Sequence, residues 1–308
     1  MPEGIVIRST GSWYTVYADD GQTVLCRLRG QYRLKGIRTT NPLAVGDRVT
    51  FHIEPDQDTA VISHIHDRHN IIIRKATRLS KSAHIIAANL DQAVLIATID
   101  HPRTSTGFID RFLVTAEAYH IPAAIVFNKI DLYNDRNNET LNRLMSLYGG
   151  IGYAVLKVSA KDGTNLDGFK SLLSNKVSLL TGHSGVGKSA LINTIDQNLK
   201  LRTAEISTFS NKGKHTTTFA EMHPLAFGGW IVDTPGIKEF GLYDFEADTL
   251  AQRFPEMRER MPDCRFANCT HLHEPDCAVK KDFENGTISP TRYKNYLNML
   301  RNDFTDDN

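Results

Sequence analysis

Apolar positions fall into three regimes along the chain. Up to about residue 70 they form short β-like runs broken by turn signals: Ile5-Val6-Ile7, Trp13-Tyr14-Thr15-Val16-Tyr17, Thr23-Val24-Leu25-Cys26-Arg27-Leu28, Arg48-Val49-Thr50-Phe51-His52-Ile53 and Ala60-Val61-Ile62. Asp20-Gly21, between the second and third, is a strong hairpin turn. Runs this short and closely spaced predict a small closed β-barrel of the OB type. Residues 66–90, including Arg74-Lys75-Ala76-Thr77-Arg78, break the pattern and predict an interdomain connection.

From Asp91 the pattern changes. Runs apolar on both faces, at 93–96, 123–127, 155–158, 177–180 and 230–232, alternate with helical spacing at 108–119, 139–148 and 166–173. Strands without a polar face, separated by helices, predict a mostly parallel sheet covered on both sides. In the last region Ser289-Pro290 reads as the N-cap and first position of a closing helix carrying Tyr293, Tyr296, Leu297 and Leu300. The expected architecture is multidomain: an OB-type barrel over 1–70, an α/β nucleotide domain over 71–242, and a mostly helical module over 243–308.

Composition narrows the function classes. With 308 residues, 41% hydrophobic and 23% charged, the chain reads as soluble and globular. No apolar run approaches a membrane span, and Met1-Pro2-Glu3-Gly4 does not begin a signal peptide, so a cytoplasmic protein with no membrane partner is expected. A net charge of +1 excludes a chain that coats nucleic acid with uniformly basic surface. One local basic stretch remains, Arg27, Arg29, Arg33, Lys35 and Arg38 around Tyr32, with no acidic residue among them. On a barrel loop it suits phosphate contact with base stacking, a solvated loop being the plain alternative.

The most specific chemistry lies at Gly182-His183-Ser184-Gly185-Val186-Gly187-Lys188-Ser189, with an apolar run before it and Ala190-Leu191-Ile192 after. Strand, Gly-rich turn and helix is the context of a phosphate loop, whose backbone N–H groups and helix dipole hold a triphosphate. Lys188 would reach the β- and γ-phosphates, and the Ser189 hydroxyl would ligate Mg²⁺. Further motifs sit at strand ends, where α/β sheets bind ligands. In Asn128-Lys129-Ile130-Asp131 the Asp131 carboxylate can accept from the ring N–H and exocyclic amine of guanine. Ser159-Ala160-Lys161 offers a backbone N–H to the guanine oxo group. Asp233-Thr234-Pro235-Gly236 brings a carboxylate near Mg²⁺ and a Gly236 N–H to the γ-phosphate.

Near the C-terminus, Cys264, Cys269, His271 and Cys277 supply three thiolates and an imidazole, enough to close a tetrahedral structural zinc shell. Spacing alone leaves His273 as a rival fourth ligand. Loss of one ligand, as in Cys269→Ser, is expected to unfold this module while leaving nucleotide binding largely intact. Cys26, on a barrel strand, reads as a core residue.

Taken together, the motifs resemble those of GTPases in a permuted order, both base-binding motifs preceding the phosphate loop. The combination resembles the ribosome small subunit-dependent GTPase A family (RsgA/YjeQ type), which implies an OB barrel, a circularly permuted GTPase and a C-terminal zinc domain. The resemblance implies a monomer with one structural Zn²⁺ and with Mg²⁺ accompanying GTP. It further implies binding to the small (30S) ribosomal subunit and its 16S rRNA late in maturation, with hydrolysis stimulated by the subunit. The family pattern favours His271 over His273. Gly213-Lys214-His215-Thr216-Thr217-Thr218 is similar to the family's switch I, in which Thr217 would order on Mg²⁺. Ile237 stands where many GTPases carry the glutamine that orients water, which makes His215, with Lys188, the expected catalytic pair. Two rival readings are a metabolic P-loop enzyme, such as a small-molecule kinase, and an RNA-binding scaffold with vestigial nucleotide binding. The first has no use for Asp131 or the cysteine cluster, and the intact Lys188 and Ser189 argue against the second.

Overall fold

A computed structural model of the chain describes residues 1–28, 42–54, 57–74, 84–199, 220–233 and 247–301. Most of the basic stretch (Arg29, Tyr32, Arg33, Lys35, Arg38), the switch I run with His215 and Thr217, and Gly236 with Ile237 lie outside the described residues.

The first strands are β1 (Glu3–Ser9), β2 (Trp13–Ala18), β3 (Thr23–Leu28), β4 (Arg48–Ile53) and β5 (Thr59–Ile65). Alternation along them sends Val6, Tyr14, Val16, Cys26, Val49, Phe51 and Ile62 inward. Antiparallel pairs β1–β2, β2–β3 and β4–β5, the parallel pair β3–β5 and the closing pair β1–β4 leave the expected barrel without a free edge. The Asp20-Gly21 turn is present: Gly21, at φ +85°, donates its N–H to Ala18 O at 2.9 Å. Cys26 is a core residue, burial pushing its thiol up to about 12.

The stretch expected to be an interdomain connection contains a hairpin, β6 (Ile71–Arg74) paired antiparallel with β7 (His84–Ala88). Three successive isoleucines and Ile85, Ala87 and Ala88 drive it, Ile72, Ile85, Ala87 and Ala88 being buried. Asn70 then locks the exit, its side chain donating to Leu90 O and accepting from Leu90 N, each at 2.8 Å.

Alternating elements follow: β8 (Gln92–Ala97), α1 (Thr106–Ala118), β9 (Ala123–Phe127), α2 (Asp135–Ile151), β10 (Ala154–Lys157), α3 (Leu166–Leu173), β11 (Val177–Thr181), α4 (Lys188–Ile195), β12 (Glu221–Pro224) and β13 (Trp230–Asp233). The C-terminal helices are α5 (Ala247–Leu250), α6 (Pro255–Arg258), α7 (Ala278–Glu284) and α8 (Pro290–Leu300). Local chemistry sets the boundaries. Ser105 Oγ accepts from Phe108 N at 3.1 Å to start α1, Asn134 caps α2, and left-handed Gly152 ends it. Ser289 is the N-cap of α8 and Pro290 its first residue, as expected, although the Ser289 hydroxyl makes no capping bond.

Packing divides the chain into two compact units, the first of Met1–Ala93, Lys170–Leu180 and Ser189–Ile237, the second of Val94–Phe169, Thr181–Lys188 and Lys238–Asn308. In the first, β11 pairs parallel with β13, β12 pairs antiparallel with β13, and β1 of the barrel pairs with β12 at Arg8 and Glu221. Tyr17 and Trp230 meet edge-to-face at 5.0 Å. In the second, β8, β9 and β10 lie side by side, with β9 and β10 parallel. The apolar β8 is buried throughout, as its composition requires. Val114 of α1 joins Leu250, Phe254, Met257, Val279, Tyr293 and Tyr296 in the core of the C-terminal helices. Among the described residues no helix is long and apolar enough to cross a membrane.

Candidate functional site

The phosphate loop begins where β11 ends. Gly182 takes φ +139° and Gly187 φ +93°, conformations that side chains rarely adopt. Space excludes them as well: a Cβ would lie 2.1 Å from Ile96 O at Gly182 and 2.4 Å from Asn128 Nδ2 at Gly187. Val186 is fully buried beneath the loop, and Ser184 and Gly185 are exposed. Lys188, the first residue of α4, bends back to donate to Gly182 O at 2.6 Å and His183 O at 2.8 Å, which holds its ammonium within the loop. Ser189 and Ala190 follow in the first turn of α4. The His183 ring lies 4.0 Å from the Phe108 ring. Burial, then the charges of Lys188 and Arg111, lowers the His183 pKa and keeps the ring neutral at neutral pH.

The base-reading motifs meet this loop through Asn128. Its buried amide donates from Nδ2 to Val186 O at 2.8 Å and accepts at Oδ1 from Ala160 N at 3.3 Å. Asn128 thus clasps the phosphate loop to the Ser159-Ala160-Lys161 turn. Tyr133 fixes the clasp from behind, donating to Asn128 O and accepting from Ile99 N, each at 2.8 Å. Ser159 is buried, and its hydroxyl donates to Asp131 Oδ1 at 2.8 Å while accepting from the N–H groups of Lys161 and Asp162. Asp131 Oδ2 lies 3.9 Å from the exposed Lys161 ammonium. Lys129, in the left-handed region at φ 64°, donates to His101 O at 2.7 Å. The sequence-predicted residues 128–131, 159–161 and 182–188 therefore come together. Asp233 ends β13 opposite Glu221.

In the C-terminal module one donor atom each from Cys264, Cys269, His271 and Cys277 lies within 4.8 Å of the others. His271 Nδ1 is 3.3 Å from Cys277 Sγ and 3.7 Å from Cys264 Sγ, and the sulfurs of Cys264 and Cys277 are 4.0 Å apart. A tetrahedral metal with sulfur bonds of about 2.3 Å requires sulfurs roughly 3.8 Å apart, so the cluster fits one. His271 is fully buried, with Nδ1 turned towards the sulfurs of Cys264 and Cys277 and Nε2 without a partner among the described residues. His273 is exposed and outside the cluster. As a free thiol Cys269 is pushed up to about 12, chiefly by burial, a cost that a bound cation removes. Glu274 organises the ligand loop: Oε1 accepts from Thr270 N at 2.8 Å, Oε2 from Leu272 N at 3.0 Å and His273 N at 3.2 Å.

One buried network has no sequence signal strong enough to find it. Asp110, on α1, and Arg292, on α8, are both fully buried and bonded at 2.7 Å. Asp110 also accepts from Tyr148 at 2.9 Å and Asn295 at 2.5 Å, and Arg292 holds Glu256 through Nε at 2.6 Å and Nη2 at 3.1 Å. Arg292 also covers the Phe254 ring, 4.5 Å from its centre. Burial raises the Asp110 carboxyl, opposed by Arg292, Asn295 and Tyr148; for Arg292 the nearby carboxylates outweigh desolvation and keep the guanidinium charged. The available signal was an aspartate inside the apolar run Phe108-Ile109-Asp110-Arg111-Phe112-Leu113, where an unpaired carboxylate is not tolerated.

Comparison with known proteins places this geometry. Residues 65–243 match the RsgA GTPase family and residues 3–62 the RsgA N-terminal domain. The chain is 53% identical to "Small ribosomal subunit biogenesis GTPase RsgA 2" of Bacteroides thetaiotaomicron, over 97% of this chain and 96% of that one. A protein of Phocaeicola vulgatus named "Small ribosomal subunit biogenesis GTPase RsgA" is also 53% identical, with the same coverage. Among solved structures, YjeQ from Thermotoga maritima superposes with a TM-score of 0.80 at 36% identity, covering 99% of both chains. YloQ, described as a circularly permuted GTPase, superposes with a TM-score of 0.77 at 31% identity, covering 98% of this chain and 95% of its own.

Proposed function

The chain belongs to the RsgA GTPase family, and from that premise we propose that it hydrolyses GTP as a switch acting on the small ribosomal subunit during its late maturation. The observation that carries this reading is the Asn128 clasp. By bonding Val186 O and Ala160 N, one amide sets the base-reading turns and the phosphate loop in a fixed relation, as a guanine nucleotide requires.

Within this reading Asp131 takes the guanine ring N–H and amine, and the Ser159-Ala160-Lys161 turn takes the oxo group. Asn128 and Lys129 shape the base pocket. The backbone from Gly182 to Ala190, through His183, Ser184, Gly185, Val186, Gly187, Lys188 and Ser189, surrounds the phosphates, with Asp233 and Gly236 at the γ end. Mg²⁺, when bound at Ser189 and Thr217, would neutralise charge between the β- and γ-phosphates. Lys188 leaves its carbonyl partners for the phosphate oxygens, and His215 orients the attacking water. The four-residue cluster of Cys264, Cys269, His271 and Cys277 holds one structural Zn²⁺, whose donor set and closed shell suit it. The domains run 1–70, 71–242 and 243–308. The working form is a cytoplasmic monomer that touches 16S rRNA through the barrel and the zinc module, with subunit binding stimulating hydrolysis.

A GTPase assay with and without purified small ribosomal subunits tests the proposal. Slow turnover alone and a large stimulation by subunits are expected. Equal rates in both arms would overturn the ribosomal role and leave a bare GTPase.

A further inference from the structure

The phosphate loop and the cysteine cluster are joined by one unbroken set of packed groups, all within the second compact unit. At one end the Phe108 ring lies against His183, whose carbonyl receives the Lys188 ammonium. Phe108 and Asp110 share the first turns of α1, a 13-residue helix capped by Ser105. Asp110 is bonded to Arg292 and Asn295 of α8, and Tyr148 of α2 closes the same carboxylate. At the far end, α8 grips the backbone of the ligand loop: Tyr293 donates to His271 O at 2.6 Å and Tyr296 to Thr270 O at 2.7 Å.

We propose that Phe108, Asp110 and Arg292 are positioning residues that couple the phosphate loop to the metal cluster, so that nucleotide and metal each strengthen the binding of the other. This rests on the reading of 182–189 as a guanine-nucleotide loop and of the cysteine cluster as a zinc site. The bonds are directional at every joint. A fully buried guanidinium facing two carboxylates has few alternative arrangements, because leaving either carboxylate unpaired in the interior is costly. The ligand loop therefore sets where α8 sits, α8 sets where α1 sits, and α1 sets the Phe108 surface on which His183 rests. A shift at His183 moves the phosphate loop itself, because His183 lies within it between Gly182 and Ser184. Without the metal, the four ligand side chains lose the partner they share, the Thr270–His271 backbone relaxes and Tyr293 and Tyr296 lose their fixed acceptors. Coupling between two bound ligands is reciprocal, so the effect is measurable from the metal side in folded protein.

The test follows zinc leaving the full zinc-loaded chain for a chromogenic chelator, with and without saturating GDP. GDP is expected to slow release by about fivefold or more in the wild type, the lower end of ordinary coupling. Phe108→Leu keeps an apolar filler but removes the ring against His183, and Asp110→Asn keeps the shape but removes the charge that grips Arg292. In both the ratio of rates should fall towards one, with zinc content and a folded far-ultraviolet spectrum retained. A purely structural role would change release with and without GDP alike and leave the ratio untouched. Equal rates in the wild type, or a wild-type ratio in both variants, would overturn the coupling. Absence of zinc by metal analysis, or of GDP binding by direct titration, would overturn the functional reading itself and the coupling with it.

Discussion

At the scale of single residues, Asn128 is the instructive case. Its position in Asn128-Lys129-Ile130-Asp131 marked it as a nucleotide residue, yet its amide is buried and spent on Val186 O and Ala160 N. Asn128→Ala should strip both bonds and leave buried groups unpaired, a cost of about 1–3 kcal/mol. Fluorescent GDP titration should then show affinity weakened roughly tenfold, with guanine still preferred over adenine. Asp131→Asn acts on the base itself. It replaces an acceptor with a donor and should favour xanthosine triphosphate, whose ring carbonyl suits the amide; in competition titrations, wild-type protein that binds ATP as well as GTP would refute the guanine assignment. His183 adds a pH dependence. Its lowered pKa means that the unfolded state binds more protons just below pH 6.5, the ordinary histidine value. The contribution of the neutral ring is therefore complete above that pH and lost as pH falls through the depressed folded value. Urea midpoints measured between pH 5 and 7.5 should fall on the acid side in the wild type, with a shallower slope in His183→Gln.

At the scale of elements, period and composition were legible wherever one rule dominated. Strands β3, β4 and β9 and helix α3 begin and end where the pattern placed them, because alternation or a fully apolar run left no competing structure. The hairpin β6–β7 was hidden by the basic residues between its arms, and β12, Glu-Met-His-Pro, has neither alternation nor β-branched residues. Only its pairing with β13 and β1 makes it a strand. The docking of α8 was illegible for a different reason: Asp110 and Arg292 are far apart in sequence, and neither carries a periodic signal. Arg292→Ala should leave the fully buried Asp110 and its neighbour Glu256 without their cation. Breaking such a pair costs about 3–5 kcal/mol, readable as a lowered chemical-denaturation midpoint. The same docking changes the expectation for Cys269→Ser. Metal analysis should show zinc lost, and GDP binding should weaken with it instead of remaining intact, because Tyr293 and Tyr296 anchor α8 to the ligand loop.

At the scale of the whole molecule, the permuted motif order assigns separate tasks to separate stretches of chain. The base-reading turns and the phosphate loop are held by bonds already present, whereas the groups assigned to hydrolysis, His215 and Thr217, belong to the run that follows α4. Binding and chemistry should therefore separate by mutation. Ile237 cannot hydrogen-bond water, so the water must be placed by another group, and hydrolysis by the chain alone should be slow. His215→Ala should leave GTP affinity nearly unchanged and remove most subunit-stimulated turnover, roughly 10²-fold or more if the imidazole acts as positioned groups do. Lys188→Ala should instead weaken nucleotide binding itself, because its ammonium is the cation held within the loop by Gly182 O and His183 O. The measurement is GTP affinity beside single-turnover hydrolysis on saturating small subunits, for both variants in parallel. If His215→Ala keeps stimulated turnover within about twofold of wild type, the water is placed by a group the ribosome supplies, and the chain contributes binding and electrostatics alone.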